Sequence, residues 1–433
     1  MTAENTLLNE IRSKFPRAGS DVNGRKRVFL DNAAGSLVLK TVADAEAKVI
    51  LDYFPNVGAT SWESQKNMEV IDEGRKGVQD LLNAEHKESI VSGESATGLF
   101  FHLSYTLGKT MKETDNVVIT EYEHYANVSP WLELERRGVI KEVRFAKFDE
   151  ETGMLDIDNL GEIADKNTKI ISVAGCSNAL GSKTPLDQVG KIARENDSLF
   201  AVDGVHTIQH VPVDVQELDC DFFIFSGYKL FSRRGSFMYG KKEVLDELSP
   251  YKVDLCPDYS PVKWEWGTRD HGLFAGISAV VDYLEWLGTK VEDYTKDKTS
   301  KYSGRRKSLK SALTWILEYE TKLTEAMLKG IDDIPGLAQL EDVELYGLND
   351  HKQSQLKSPT FTFNVKNTTP KEICQYIFDK HAVALLGPED FYSRALQTYN
   401  TKAASRASLC HFNTFDEVKI FLNGIKDTVN HFK

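Results

Sequence analysis

Between Asp115 and Gly240 short apolar runs alternate with stretches of helical spacing, and this alternation restricts the fold more than any other feature of the chain. Asn116 to Thr120, Ile140 to Ala146 and Lys169 to Ala174 read as strands, and Asp187 to Asn196 places Val189, Ile192 and Ala193 at helical spacing. Two further strands, Leu199 to Asp203 and Cys220 to Phe225, follow, and Ser236 to Tyr239 returns after Gly235 as an antiparallel partner. Strand–helix alternation predicts an α/β fold with a largely parallel sheet covered by helices on both faces. From about Ser278 to Gly330 the pattern turns helical, with one long helix expected from Arg305 to Leu328. The last hundred residues alternate again (Thr360 to Val365, a helix from Pro370, Ala407 to Leu409), which predicts a smaller α+β C-terminal domain. A length of 433 residues also favours more than one domain.

In parallel sheets ligands bind beyond the carboxyl ends of the strands. Two of the expected strands end there on chemistry: one on Asp203, the other in Ser226-Gly227-Tyr228-Lys229. A lysine at a buried sheet edge has its pKa lowered and its neutral amine made available for Schiff-base formation. A strand-end carboxylate beside it is the partner pyridoxal phosphate needs to keep its ring nitrogen protonated. Taken singly, the lysine reads as a solvated sheet terminus and the aspartate as a helix cap; the pair carries the cofactor reading.

Ser92-Gly93-Glu94-Ser95-Ala96-Thr97-Gly98 opens an expected helix, Leu99 to Leu107, and small residues there let backbone N–H groups approach a phosphate. Gly93 and Gly98 have the outer spacing of a nucleotide-binding loop, but Leu99-Phe100 stand where Lys-Ser/Thr is required. Gly93 to Thr97 lacks the second glycine of a nucleophile elbow, and no G-x-G-x-x-G follows a strand. His124, at a strand-to-helix turn, can stack on an aromatic cofactor or serve as a structural histidine. His206 and His210 are spaced i, i+4 but lack the H-E-x-x-H pattern, and no metal site is expected.

The net charge of −12 argues against nucleic acid or an anionic membrane as partner. No run of about 18 apolar residues predicts a membrane span. The N-terminal residues lack the features of a signal peptide, and Leu7, Leu8, Ile11 and Phe15 read as a short docking helix within residues 1–22. Five scattered cysteines without a C-x-x-C pair fit a reducing, cytoplasmic location.

From Phe29-Leu30-Asp31-Asn32-Ala33-Ala34-Gly35-Ser36 to His411-Phe412-Asn413-Thr414 the chain resembles the class V, fold type I, pyridoxal phosphate-dependent enzymes, the group of the cysteine desulfurases. The resemblance implies a mostly parallel seven-stranded sheet in a large cofactor domain, residues 23–289, and a small domain, residues 290–433. It implies that Lys229 is the Schiff-base lysine, that Asp203 faces the ring nitrogen and that His124 stacks on the ring. Asn178 and His206 would lie near the ring oxygen, and Ser95, Ala96, Thr97, Ser226 and Tyr228 would hold the phosphate. Gly267-Thr268 resembles the segment a second subunit lends to that phosphate, so a homodimer with shared sites is expected. Arg406 would clamp the substrate carboxylate, with Asn32 and Ala34 on the substrate side.

The chain departs from the desulfurases in one respect that bears on chemistry. They carry a nucleophilic cysteine on a loop before the substrate arginine, and between Val383 and Ser405 this chain has none. Cys374 falls on the preceding helix, and Cys410 follows Arg406 with the parity of its strand face. His206 stands where many relatives have glutamine, and Glu389-Asp390 put acid in the loop. The implied activity is a cysteine desulfurase-like or C–S lyase reaction on a small amino acid, with a decarboxylative aldolase acting on aspartate or an aminotransferase as the alternatives; a binding protein has no need of Lys229, Asp203 and Arg406 together.

Overall fold

The computed structural model describes residues 3–53 and 55–433; Met1 and Thr2 of the expected docking segment lie outside the described residues. Helix α1 (Ala3–Ser13) buries Leu8 and Ile11, and Phe15 beyond its end packs edge-on to Phe231 and Tyr283. These apolar side chains of the segment are buried in the core.

The large sheet is built from β1 (Ile90–Gly93), β2 (Asn116–Thr120), β3 (Glu142–Ala146), β4 (Thr168–Ala174), β5 (Leu199–Asp203), β6 (Phe222–Ser226) and β7 (Ser236–Gly240). Their order across the sheet is β1-β7-β6-β5-β4-β2-β3. The β3-β2-β4-β5-β6 stretch is parallel, and β7 runs antiparallel to both β6 and β1. Strands β5 and β6 are apolar nearly throughout and buried on both faces, the pattern a helix-covered parallel strand requires. Ile171, Val202, Phe223 and Phe225 belong to one core cluster, and Ile170, Ala201, Phe222 and Ile224 to the other, so alternate side chains feed opposite faces. The expected strand from Ile140 begins two residues later, at Glu142; Ile140 is buried ahead of it.

Helix α2 (Ala96–Gly108) follows β1 directly, and Ser95 caps it by accepting a 3.1 Å hydrogen bond from the Gly98 amide. Helices α3 (His271–Thr299) and α4 (Gly304–Lys329) pack along one another. The helical region opens at His271, earlier than Ser278, and α3 runs unbroken through the expected domain boundary at 289/290. The C-terminal sheet comprises β8 (Val343–Tyr346), β9 (Thr360–Val365), β10 (Leu386–Glu389) and β11 (Ala404–Ser408), antiparallel in the order β8-β9-β11-β10. Helix α5 (Pro370–His381) is started by a capping box, Thr369 with Glu372, and by Pro370 at its first position. The N-terminal strand Val28–Phe29 pairs with Val383–Ala384, so residues 29–36 enter the site from beside the C-terminal sheet. No helix among the described residues is long and apolar enough to cross a membrane.

Candidate active site

The ends of β5 and β6 open on a cavity of about 340 Å³ whose far wall is the C-terminal sheet. Asp203 closes β5 there, 4% exposed, and its Oδ1 accepts a 2.9 Å hydrogen bond from the Val205 amide. Burial raises its pKa to about 6, opposed by that amide and by the charge of Lys229. A 3₁₀ turn, Gly227–Lys229, ends the run after β6 and holds the lysine 5% exposed. Its Nζ donates to the Ala33 carbonyl. Burial, reinforced by the Arg406 charge and resisted by Asp31 and Asp203, lowers the Lys229 pKa to about 7. A substantial fraction of the amine is therefore neutral near pH 7.

The other groups converge from several elements. His124 caps the turn Tyr125–Asn127, its Nδ1 accepting from the Ala126 amide at 3.0 Å. Burial first, then the cations of Lys229 and Arg406, lower its pKa to about 4, so the imidazole is neutral. Ser95, Ala96 and Thr97 line the cavity at the start of α2. Ser226 and Tyr228 line it from the lysine turn; Ser226 Oγ lies 2.9 Å from Ser236 Oγ. Gly35 lies against the Tyr228 ring, where an added Cβ would stand 3.6 Å from the ring edge. Asn178 donates Nδ2 to the Phe391 carbonyl at 2.9 Å. His206 places Nε2 3.0 Å from Thr360 Oγ1, and its buried Nδ1 has no protein partner among the described residues.

Arg406 is buried on β11 and reaches the cavity from the second sheet. Its Nη1 donates to the Asn178 carbonyl at 2.8 Å, Asp31 lies 3.8 Å from Nη2, and the Phe391 ring lies 4.5 Å from the guanidinium carbon. Burial lowers the guanidinium to about 10, which leaves it charged. Its Nε has no hydrogen-bond partner among the described residues. A buried guanidinium only partly matched by its own protein is suited to a carboxylate ligand.

Three residues singled out in the sequence lie elsewhere. Ala34 lines the cavity, but Asn32 is turned away and ties the N-terminal segment to β11 through the Ser408 carbonyl, at 2.9 Å. Thr268 is exposed in a separate pocket with Ser92, Gly98 and Trp266, where it accepts from Asn56 Nδ2 at 3.3 Å. Cys410 falls beyond the end of β11, fully buried with Sγ 3.7 Å from Gln209 Oε1, and does not line the cavity; the strand-face argument fails because the strand stops at Ser408. Conversely, the cavity includes Cys176, Leu386, Phe391 and Tyr392. Only spatial neighbours reveal these four, whereas Asp31, the partner of Arg406, was visible as the sole carboxylate in Phe29 to Ser36. The rings of His206 and His210 meet edge-on at 5.0 Å, and His210 pairs with Glu320 at 2.7 Å. Among the described residues no three His, Cys, Asp or Glu side chains are grouped to hold a metal ion.

Comparison with known proteins gives the family and the fold. The cysteine desulfurase of Pectobacterium atrosepticum is 27% identical over 438 residues, covering 97% of both chains, and that of Shigella flexneri is 27% identical over 437. The apo structure of a cysteine desulfurase from Thermococcus onnurineus NA1 superposes with a TM-score of 0.83 at 25% identity, covering 98% of each chain. The fold is also that of the cysteine desulfurase CsdA from Escherichia coli, with a TM-score of 0.79 at 22% identity. The profile of the family described as aminotransferase class V matches residues 28–315, and the chain belongs to that family of enzymes.

Proposed function

We propose that this enzyme uses pyridoxal phosphate to cleave the C–S bond of cysteine or a cysteine-like amino acid. The observation that carries the reading is the convergence of Lys229, Asp203 and Arg406 on one cavity, from two different sheets. The cysteine desulfurase relatives favour it, and they give no support to an aldolase acting on aspartate.

The residues present fit the cofactor. Small residues and a capped 13-residue helix start stand where a phosphate would sit, a carboxylate faces the same space, and the buried Nδ1 of His206 waits for a partner. Ser95, Thr97, Ser226 and Tyr228 would hold the phosphate, Asp203 the ring nitrogen, Asn178 and His206 the ring oxygen, and neutral His124 one ring face. Bound there, pyridoxal phosphate would supply an aldehyde for amines and a ring that accepts the electron pair released at Cα.

The chain's own groups perform the rest. Arg406 binds the α-carboxylate and fixes the amino acid's orientation. Lys229 Nζ, with a pKa near neutrality, takes the proton from Cα and passes it to the departing sulfur. The buried Phe391 ring covers the Arg406 guanidinium on one side. Cys176 lines the cavity, but burial pushes its thiol up to about 11, so it is not a thiolate at neutral pH. With no cysteine between Val383 and Ser405 to take up the sulfur, it leaves with the Cβ–S electron pair as sulfide, and water entry converts the remainder to pyruvate and ammonia. Thr268 stands apart from the cavity within its own chain, and the exposed Tyr251, Val253, Leu255, Tyr259 and Trp266 share its segment. These features support a homodimer in which Thr268 serves the partner's site. The five free cysteines support a cytoplasmic setting.

The test is to incubate the cofactor-loaded enzyme with L-cysteine and quantify sulfide, pyruvate and alanine. Sulfide with pyruvate is expected. Alanine with persulfide on a cysteine of this chain would restore the full desulfurase route, and activity only with an added keto acid would make it an aminotransferase.

A further inference from the structure

Glu389 occupies a position that the reaction above leaves unexplained. It ends β10, the edge strand beside the one that carries Arg406. Leu386 pairs with Arg406 and Glu389 with Ala404, and the register shifts between the two pairs. In a regular strand residues three apart face opposite sides. Here the irregularity turns both Leu386 and Glu389 into the cavity. The carboxylate makes no hydrogen bond or ion pair with any described residue, and its electrostatic neighbour is Arg406, which already has Asp31 at 3.8 Å. Ala404 precedes Arg406 by two residues, one side-chain row or about 7 Å along the strand. Glu389 therefore shares the cavity with Arg406 from a different strand row, where it can meet a substrate group other than the α-carboxylate that Arg406 holds.

We propose that Glu389 selects substrates whose side chain carries a cationic or N–H-donating nitrogen beyond the sulfur, such as S-aminoalkyl cysteines; this rests on the C–S cleavage reading of the same cavity. The electron and atom balance is that of β-elimination: Cα loses a proton, the Cβ–S bond breaks with its pair on sulfur, and water completes the release of pyruvate and ammonia. Glu389 takes no part in the bond changes and acts through charge-assisted hydrogen bonding to the departing group.

The experiment is calorimetric titration of cofactor-loaded enzyme with L-lysine, L-norleucine and L-2-aminoadipate, which share a length and lack a C–S bond. Lysine is expected to bind about tenfold tighter than norleucine, with aminoadipate weakest. Glu389→Gln should bring lysine and norleucine together, and Glu389→Lys should make aminoadipate the tightest. Turnover of S-(2-aminoethyl)-L-cysteine against S-propyl-L-cysteine should follow the same order in the three proteins. Equal binding of the three amino acids, binding of none, or a preference that survives both substitutions would overturn the assignment. Cleavage of L-cysteine without charge discrimination defeats Glu389 alone. A lysine preference without cleavage of any cysteine defeats the C–S reading alone.

Discussion

Two cavities of this molecule each measure about 340 Å³ and each contain a fully buried lysine, Lys229 in one and Lys310 in the other. Burial lowers both amines to about 7. Their surroundings differ. Lys310 Nζ donates to two backbone carbonyls, of Leu81 and Val213, and its cavity holds the carboxylates of Asp214, Glu217 and Glu318 but, among the described residues, no arginine or histidine. Lys229 donates to one carbonyl and faces Asp203, His124 and Arg406 across open space. A depressed lysine pKa marks burial in both places; only convergence of an acid, a stacking ring and a carboxylate receptor marks chemistry.

The largest expected contrast is between the two lysines. Lys229→Ala should lower C–S cleavage by at least about a thousandfold and abolish visible cofactor absorbance. Lys310→Ala should leave both in place while costing about 2–4 kcal/mol in denaturant unfolding, because a packed stem and hydrogen bonds are lost. Equal loss of activity in the two variants would break the comparison. Asp203→Asn should reduce kcat about 100-fold or more while the fold persists, measured as sulfide release alongside circular dichroism. Arg406→Lys should lower kcat/KM by about 10- to 100-fold, mostly through KM, since a single ammonium cannot grip a carboxylate with two parallel N–H bonds.

The smallest effect is on stability against pH. Lys310 has a folded pKa of about 7, below its ordinary 10.5, so between these values the unfolded chain binds more protons. Its contribution to the unfolding free energy therefore rises as pH increases from about 7 toward 10.5 and is level below both values. Lys310→Met should flatten that rise, by at most about 1.4 kcal/mol per pH unit. A wild-type and variant profile of identical slope would show that Lys310 is not buried as described.

Strand β5 and the run leading to Lys229 were legible because an apolar segment ending on a charged residue has few other readings in a parallel sheet. The capped start of α2 was legible from small residues and a serine. What escaped the sequence depends on contacts between distant segments. Arg406 meets Asp31, 375 positions away, because Val28–Phe29 pairs with Val383–Ala384. Asn32 sits in a promising motif yet spends its amide on Ser408. Glu389 points into the cavity through a register shift that no alternation of letters encodes. Cys410 looked aligned with Arg406 by parity, and the strand ended too early for parity to apply.

The most direct measurement is borohydride reduction of the cofactor-loaded protein, followed by peptide mass mapping. A single pyridoxyl adduct on the peptide containing Lys229 is the expected result, with none on those containing Lys310 or Lys357, the latter 1% exposed and lowered by burial to about 7. An adduct on either of those other buried lysines, or none at all, would contradict it.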